Sequence, residues 1–501
     1  VTDWFFIASA AIAVLVAVCV RAAFIRRRGT ERVDEFYWRL VARAARKKRR
    51  PPFVLPGKYI LETDEQYYPP LFGILLSLVS DQWLKRRGPW FSHLPDAALI
   101  VGAIFALGFL GVGAAGTAAA IIVLALAPAW TVYNAQLNPR SWGNLFFAAS
   151  MMLQVAGHSG AGNSETMWGA AIVLTALVVL THKMTTQVML ALWPFWVWAL
   201  GSWEALLIPP AGILIAGLMT GLKFAVMQWR AHWDVVSFWG EHWPNLGRHA
   251  FRHSPVYGDP GIEREQAYHR PGFTGIRFHT GNILGYAPFN IPLAALLLVS
   301  DAAPNWLLVW FFGIYAWAFA TAFLPSLKRY GGGHLYAANA VIPGVIGWGI
   351  VINAAASGAE LGFLVGLALT AFALWIAWRR SSGRQTTSDA GISALTEYLR
   401  GMTKTRVAVF PLTAAETIAF ETDHSVLWGA HSYGFKNMPA IFPIISEPLA
   451  KTLALHQIDW IAWNAGYWPG GFEALTKESV LNESPQEFGD WRLGRLRPDK
   501  N

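Results

Sequence analysis

Residues 4–50 read WFFIASAAIAVLVAVCVRAAFIRRRGTERVDEFYWRLVARAARKKRR. The segment 4–25 carries one charge, Arg21, in an otherwise apolar run. A helix needs about 20 mostly apolar residues to cross the hydrocarbon core of a bilayer, so 4–25 predicts a transmembrane span. No basic stretch precedes it, which argues against a cleaved signal peptide. Immediately behind it the chain turns basic. Residues 26–50 hold eleven Lys and Arg against Glu31, Asp34 and Glu35, a net +8. Such a segment suits anionic headgroups, at about 1 kcal/mol per basic residue, and equally a phosphate-bearing ligand.

Outward from this stretch the same class holds. Apolar residues make up 54% of the 501 and charged residues 14%, against about 25% charged in soluble domains. Further spans are expected near 96–114, 117–134, 142–157, 167–182, 186–202, 205–226, 287–301, 305–324, 336–355 and 359–378, about eleven in all. Many of the 26 tryptophans lie near span ends, as in an interfacial aromatic belt. Eleven spans put the loops 26–95, 135–141, 227–286 and 325–335 and the tail from 379 on one face. Counting Lys and Arg beside span ends places that face in the cytoplasm, but a loop that binds lipid phosphate has its own reason to be basic. The single Cys19 rules out a disulfide framework or a Cys-based metal site.

The fold class expected is therefore an α-helical polytopic membrane protein with a small C-terminal α/β domain. Its parts are a transmembrane domain 1–378, a linker 379–390 around Ser381–Asp389, and a soluble unit 391–501. In the tail, Thr405–Pro411, Ser425–Gly429, Ile458–Asn464 and Trp491–Arg497 read as strands and Pro448–His456 as a helix. Strands alternating with helices imply a partly parallel sheet.

Candidate chemistry gathers in the first loop. From Asp34 to Arg46 the apolar residues Phe36, Tyr37, Leu40, Val41 and Ala44 form one stripe beside a basic face, the pattern of a helix lying in the membrane interface. Asp34 stands at its start, either as a helix cap or as a catalytic carboxylate. Glu62, Asp64 and Glu65 form a second acidic group, either a solvated turn or, with Asp34, oxygen ligands for Mg²⁺ or Mn²⁺. Arg140 reads as a phosphate contact or an interfacial anchor, and Lys183 as a lysine snorkelling from a span end. The loop 227–286 carries His232, Trp233, Asp234, His242, Trp243, His249, His253, His269 and His279 at spacings that define no zinc site.

In position and type, Asp34-Glu35-Phe36-Tyr37, Tyr67-Tyr68-Pro69-Pro70-Leu71-Phe72, Asn138-Pro139-Arg140 and Thr181-His182-Lys183-Met184-Thr185 resemble segments of the GT-C superfamily. These are glycosyltransferases that use polyprenyl-linked sugars: oligosaccharyltransferases, protein O-mannosyltransferases and aminoarabinose transferases. The tail segments Val426–His431 and Tyr433–Phe435 look like those of uncharacterised bacterial relatives. The resemblance implies a transferase of the cytoplasmic (inner) membrane, with its large loops and C-terminal domain extracytoplasmic. It would move a hexosyl or pentosyl group from a polyprenyl-phosphate donor to a lipid, glycan or protein acceptor, with inversion. It implies Asp34 as base with Glu35 assisting, and Tyr37, Tyr67, Tyr68 and Tyr336 as substrate or lipid contacts. Many members place an arginine or acidic residue beside the tyrosine before the penultimate span. Here that segment is Tyr330-Gly331-Gly332-Gly333-His334-Leu335-Tyr336, so phosphate contact falls to Lys328, Arg329, His334 and Arg140. No organic cofactor and no nucleic-acid partner are expected. Two alternatives remain: a non-catalytic membrane subunit on the same scaffold within a larger complex, and a transporter or flippase for lipid-linked glycans. The near absence of ionisable residues inside the spans between 96 and 378 argues against an ion-coupled carrier.

Overall fold

The computed structural model describes residues 2–28, 33–61, 65–160, 163–245, 272–381, 387–411, 414–429, 435–440, 442, 447–468, 470–478 and 480–497. The first part is almost wholly helical: α1 (Thr2–Arg28), α2 (Val33–Lys48), a small β1 (Phe53–Val54) and β2 (Glu65–Gln66) pair, α3 (Leu71–Ser77), α4 (Asp81–Phe91), α5 (His93–Phe109), α6 (Ala114–Leu126), α7 (Arg140–His158), α8 (Ser164–Thr181), α9 (Lys183–Leu200), α10 (Glu204–Thr220) and α11 (Leu222–His242). The helices Gly272–Leu284, Asn290–Val299, Asn305–Phe323, Val341–Asn353 and Ala359–Ser381 follow.

Each apolar stretch read from the sequence carries a helix. Among the described residues seven helices are long and apolar enough to cross a membrane, or eight if the bent pair α10–α11 is one span. The chain is a membrane protein, but eleven spans are not reached by this measure. Asn290–Val299 has only 10 residues. Polar residues lower the hydropathy of two continuous helices, Asn144 and Gln154 in α7 and Lys183 and Gln187 in α9. The last helix leaves Leu361, Leu364, Phe372 and Trp375 exposed, the reverse of a soluble surface and right for contact with lipid tails. Local chemistry sets several ends. Asn163 accepts from the Thr166 N–H to cap α8, and Gly201, at φ 65°, closes α9. At Gly221, φ 89°, the chain turns through 115° from α10 into α11.

The tail forms a five-stranded mixed sheet of β3 (Arg406–Phe410), β4 (Ser425–Val426), β5 (Trp460–Asn464), β6 (Gln486–Phe488) and β7 (Trp491–Arg495), in the order β4-β3-β5-β7-β6. β3 runs parallel to β4 and β5, and β7 antiparallel to β5 and β6. Four strands lie where the apolar runs placed them; β6, a short polar edge strand, had no such signal.

The first loop is built into this sheet. Ile60 N–H donates to Val426 O at 2.9 Å, Leu61 N–H to Leu427 O at 3.0 Å, and Val426 N–H to Lys58 O at 2.8 Å. Residues 58–61 thus cover the open edge of β4. The Tyr59 hydroxyl donates to the fully buried Glu416 carboxylate.

The helix α2 forms as its spacing predicts, but its apolar stripe faces protein rather than lipid. Tyr37, Trp38, Leu40 and Val41 join one core with Phe72, Val407, Ile418 and Phe420. Arg39 and Arg43 lie 4.1 and 3.9 Å from the Phe420 ring centre, and both pair with Asp81. Arg46 donates to the Ser77 and Val79 carbonyls. Arg39 and Arg43 therefore tie the Phe420 ring to α2 and α4, Arg46 ties α2 to the end of α3, and Lys47–Arg50 remain exposed. On the other side Phe238 and Trp239 of α11 pack on Phe435 and Phe442.

Candidate functional site

Asp34 lies inside the first turn of α2, half-buried. The Gln136 amide donates to its Oδ2 over a long 3.4 Å. Gln136 belongs to the short segment between the π-helical turn Ala129–Tyr133 and α7. Ser92 fixes that segment, accepting from Asn138 N–H at 3.2 Å and donating to Asn138 O at 3.1 Å. Two residues on, Arg140 opens α7, its N–H bonded to Asn138 Oδ1 at 2.9 Å. Its guanidinium Nε has no hydrogen-bond partner among the described residues, the condition of a group ready for an anion.

Tyr68 joins this corner to the rest of the site. Burial first, then the nearby Asp34 charge, push its phenol well above the usual range, with Arg140 opposing. Its ring packs edge-on against Trp38 at 5.0 Å and stands 5.5 Å from the Lys183 ammonium. Burial lowers Lys183 to about 8. The neighbouring His182 is buried, its Nδ1 lying 2.8 Å from the Thr185 hydroxyl.

Lys183 opens α9 and, with Thr186, Gln187 and Leu190, presents one helical face to a small cavity. Pro69, Trp229 and His232 close its other sides. It shares Val179, Gln228 and Trp229 with a larger groove lined by Ile213, Leu214, Ala216 and Val226, among others, of α10 and α11. The groove is apolar and its wall residues Leu214 and Val226 are exposed, so it opens at an apolar outer surface of the helices. Lys183 had read as a snorkelling side chain; folding turns it inwards instead. Across the cavity His232, one of the histidines of the 227–286 stretch, lies 2.9 Å from Gln187, which the sequence reading does not name. The signal for Gln187 is present: polar groups at i, i+3 and i+4 on a largely apolar helix (Lys183, Thr186, Gln187).

The glycine-rich segment lies behind this wall. Tyr336 is fully buried and its hydroxyl lies 2.5 Å from Gln187 Oε1 and 2.7 Å from Tyr330 O. Gln187 links it to the cavity. Arg329 packs on Gly240 of α11 and Lys328 is half-buried, its pKa lowered by burial. His334 faces Tyr286 at 6.1 Å between ring centres. None of these contacts reaches the Asp34 corner.

The other expected site residues are placed as follows. Glu35 is buried, and as the next residue on the helix it points about 100° away from Asp34. Tyr37 is in the core, donating to Gln66 Oε1 at 2.8 Å. Tyr67 donates to Glu65 and packs on Phe224 of α11; burial and then Glu65 raise it to about 12. Asp64 and Glu62 lie outside the described residues, as do His249, His253, His269 and His431. Among the described residues no three His, Cys, Asp or Glu side chains converge. Asp34 and Glu65 alone therefore do not make the metal site expected with Asp64.

No family model and no curated protein matches the chain. Solved structures do. The oligosaccharyltransferase of Archaeoglobus fulgidus in the apo form superposes with a TM-score of 0.57 at 12% identity, over 92% of this chain and 69% of that one. The chain shares the fold of that oligosaccharyltransferase. The archaeal oligosaccharyltransferase AglB from Archaeoglobus fulgidus, in complex with an inhibitory peptide and a dolichol-phosphate, gives a TM-score of 0.56 at 11% identity, over 100% of this chain and 75% of that one. ArnT from Cupriavidus metallidurans bound to undecaprenyl phosphate gives 0.43 at 15% identity, over 98% and 99%. At such identities the GT-C likeness is one of architecture, and the chemistry rests on the side chains above.

Proposed function

We propose that this GT-C protein is a membrane glycosyltransferase with Asp34 as its base. In this reading the chain crosses the membrane eleven times, its large loops and sheet lie on the extracytoplasmic face of the inner membrane, and 391–501 is a soluble α/β unit. The donor is a polyprenyl-phosphate-linked hexose or pentose. Its tail lies in the apolar groove between α8, α10 and α11, and its phosphate meets Lys183 and Arg140. The acceptor is a hydroxyl or amine of a lipid, glycan or protein. AglB has been seen with a dolichol-phosphate, and a related Archaeoglobus structure with a tethered acceptor peptide; both fit a site of this kind.

One observation carries the proposal. Asp34, Tyr68 and Lys183 follow one another from the soluble layer to the mouth of the apolar groove. The acceptor oxygen or nitrogen forms a bond to the sugar C1 as the C1–O bond to phosphate breaks, and the electron pair leaves on the phosphate. Asp34 takes the acceptor proton, typically for about 100- to 10,000-fold in rate. Lys183 and Arg140 stabilise the charge that builds on the departing phosphate. A single displacement inverts C1. The Archaeoglobus oligosaccharyltransferase is known in complex with Zn and sulfate; no step here is routed through a metal.

The test supplies purified protein in nanodiscs with a panel of polyprenyl-phosphate sugars and compares Asp34→Asn with wild type. Transfer by wild type and a loss of about 100-fold or more in the variant is expected. Equal turnover by both removes Asp34 as base.

A further inference from the structure

Inside the helical bundle, under the 134–140 segment, lies a buried charged cluster that the reaction above does not use. Arg21 of α1 and Asp96 of α5 are each 1% exposed and pair at 2.7 Å. The same Nη2 of Arg21 donates to the Asn134 carbonyl at 2.7 Å, and Nη1 lies 2.6 Å from His93 Nδ1. Arg21 Nε and His93 Nε2 have no hydrogen-bond partner among the described residues. A buried pair with unmatched polar atoms gives little stability over apolar packing. A guanidinium fork does fix direction, and here the direction is informative. Arg21 holds the segment at Asn134 and Ser92 holds it at Asn138. Between these two anchors sits Gln136, which reaches Asp34, and just beyond them is Arg140.

We infer that Arg21, paired with Asp96, is a positioning residue that sets the 134–140 segment against Asp34. Its catalytic consequence rests on Asp34 being the base; its geometry does not. Arg21 touches neither Asp34 nor the cavity, and acts through the Asn134 carbonyl.

The test uses the full chain in nanodiscs with Cys19→Ser. Asp34→Cys and Gln136→Cys are joined by a short bifunctional methanethiosulfonate, and the linked peptide is quantified by mass spectrometry. Ser150→Cys and Thr175→Cys serve as a control pair, because their hydroxyls lie 2.9 Å apart between α7 and α8. Adding Arg21→Met is expected to lower the first yield about tenfold, the size of one charge-assisted hydrogen bond. The control yield stays constant, and Arg21→Lys restores most of the first. An unchanged first yield overturns the inference. So does a parallel fall of the control pair, which would make Arg21 a prop for the whole bundle. If the yields behave as expected while no form of the protein transfers sugar, the transfer reading fails and the positioning role stands.

Discussion

Lys183 offers the sharpest check on the site, because its burial and its charge make opposed demands. Its pKa of about 8 leaves about 90% of the ammonium charged at pH 7 and about 10% at pH 9. A charge-assisted hydrogen bond to phosphate is worth about 1.5–3 kcal/mol, or roughly 10- to 150-fold in Kd. Lys183→Met is therefore expected to weaken undecaprenyl-phosphate binding by about that factor at pH 7. The pH dependence has a definite sign. The folded pKa lies below the 10.5 of an ordinary lysine, so the cation is present below pH 8 and lost above it. Wild-type affinity should fall as pH rises through about 8. Lys183→Arg, whose guanidinium stays charged throughout this range, should remove that alkaline limb. Titration by microscale thermophoresis in nanodiscs between pH 6.5 and 9.5, a range set by that pKa, reads all three. Binding by Lys183→Met as tight as wild type, or an alkaline limb persisting in Lys183→Arg, refutes the phosphate role.

Three further outcomes test the frame around the site. Phe420→Ala removes a ring that packs on Phe36 at 5.4 Å and lies beside Arg39 and Arg43; a loss of about 3–5 kcal/mol is expected in denaturant unfolding of the soluble layer, and a loss under about 1 kcal/mol would contradict the shared core. A Cβ at Gly333 would run into the Ala318 backbone, so Gly333→Ala should destabilise by about 1–3 kcal/mol in thermal unfolding, and unchanged melting would deny that close approach. Tyr336→Phe deletes the hydroxyl beside Gln187; donor affinity should drop about two- to tenfold with melting little altered, and unchanged affinity would leave Gln187 set by its other contacts.

Much of the architecture was legible along the chain because its causes are local. Apolar runs announce helices in a bilayer, since every backbone polar group must be satisfied within the segment. The spacing Phe36, Tyr37, Leu40, Val41 announced α2, and the apolar strands of the tail announced β3 and β5. The Asp34 corner was legible only as residue types. Its partners Gln136 and Tyr68 have no periodic signature, and Lys183 at a helix start looks in sequence like any snorkelling lysine.

The stretch 4–50 by itself determined a membrane anchor, a helix behind it and an acidic residue at that helix's head. Only the tertiary structure decided what covers that helix. Its stripe has the same period whether it meets lipid or protein, and Phe420 and Val426 meet it from the far end of the chain. Likewise Lys58–Leu61 carry no mark of a sheet edge until Val426 and Leu427 are beside them. Periodicity records which face of an element is apolar; the partner of that face is chosen by contacts between residues hundreds of positions apart.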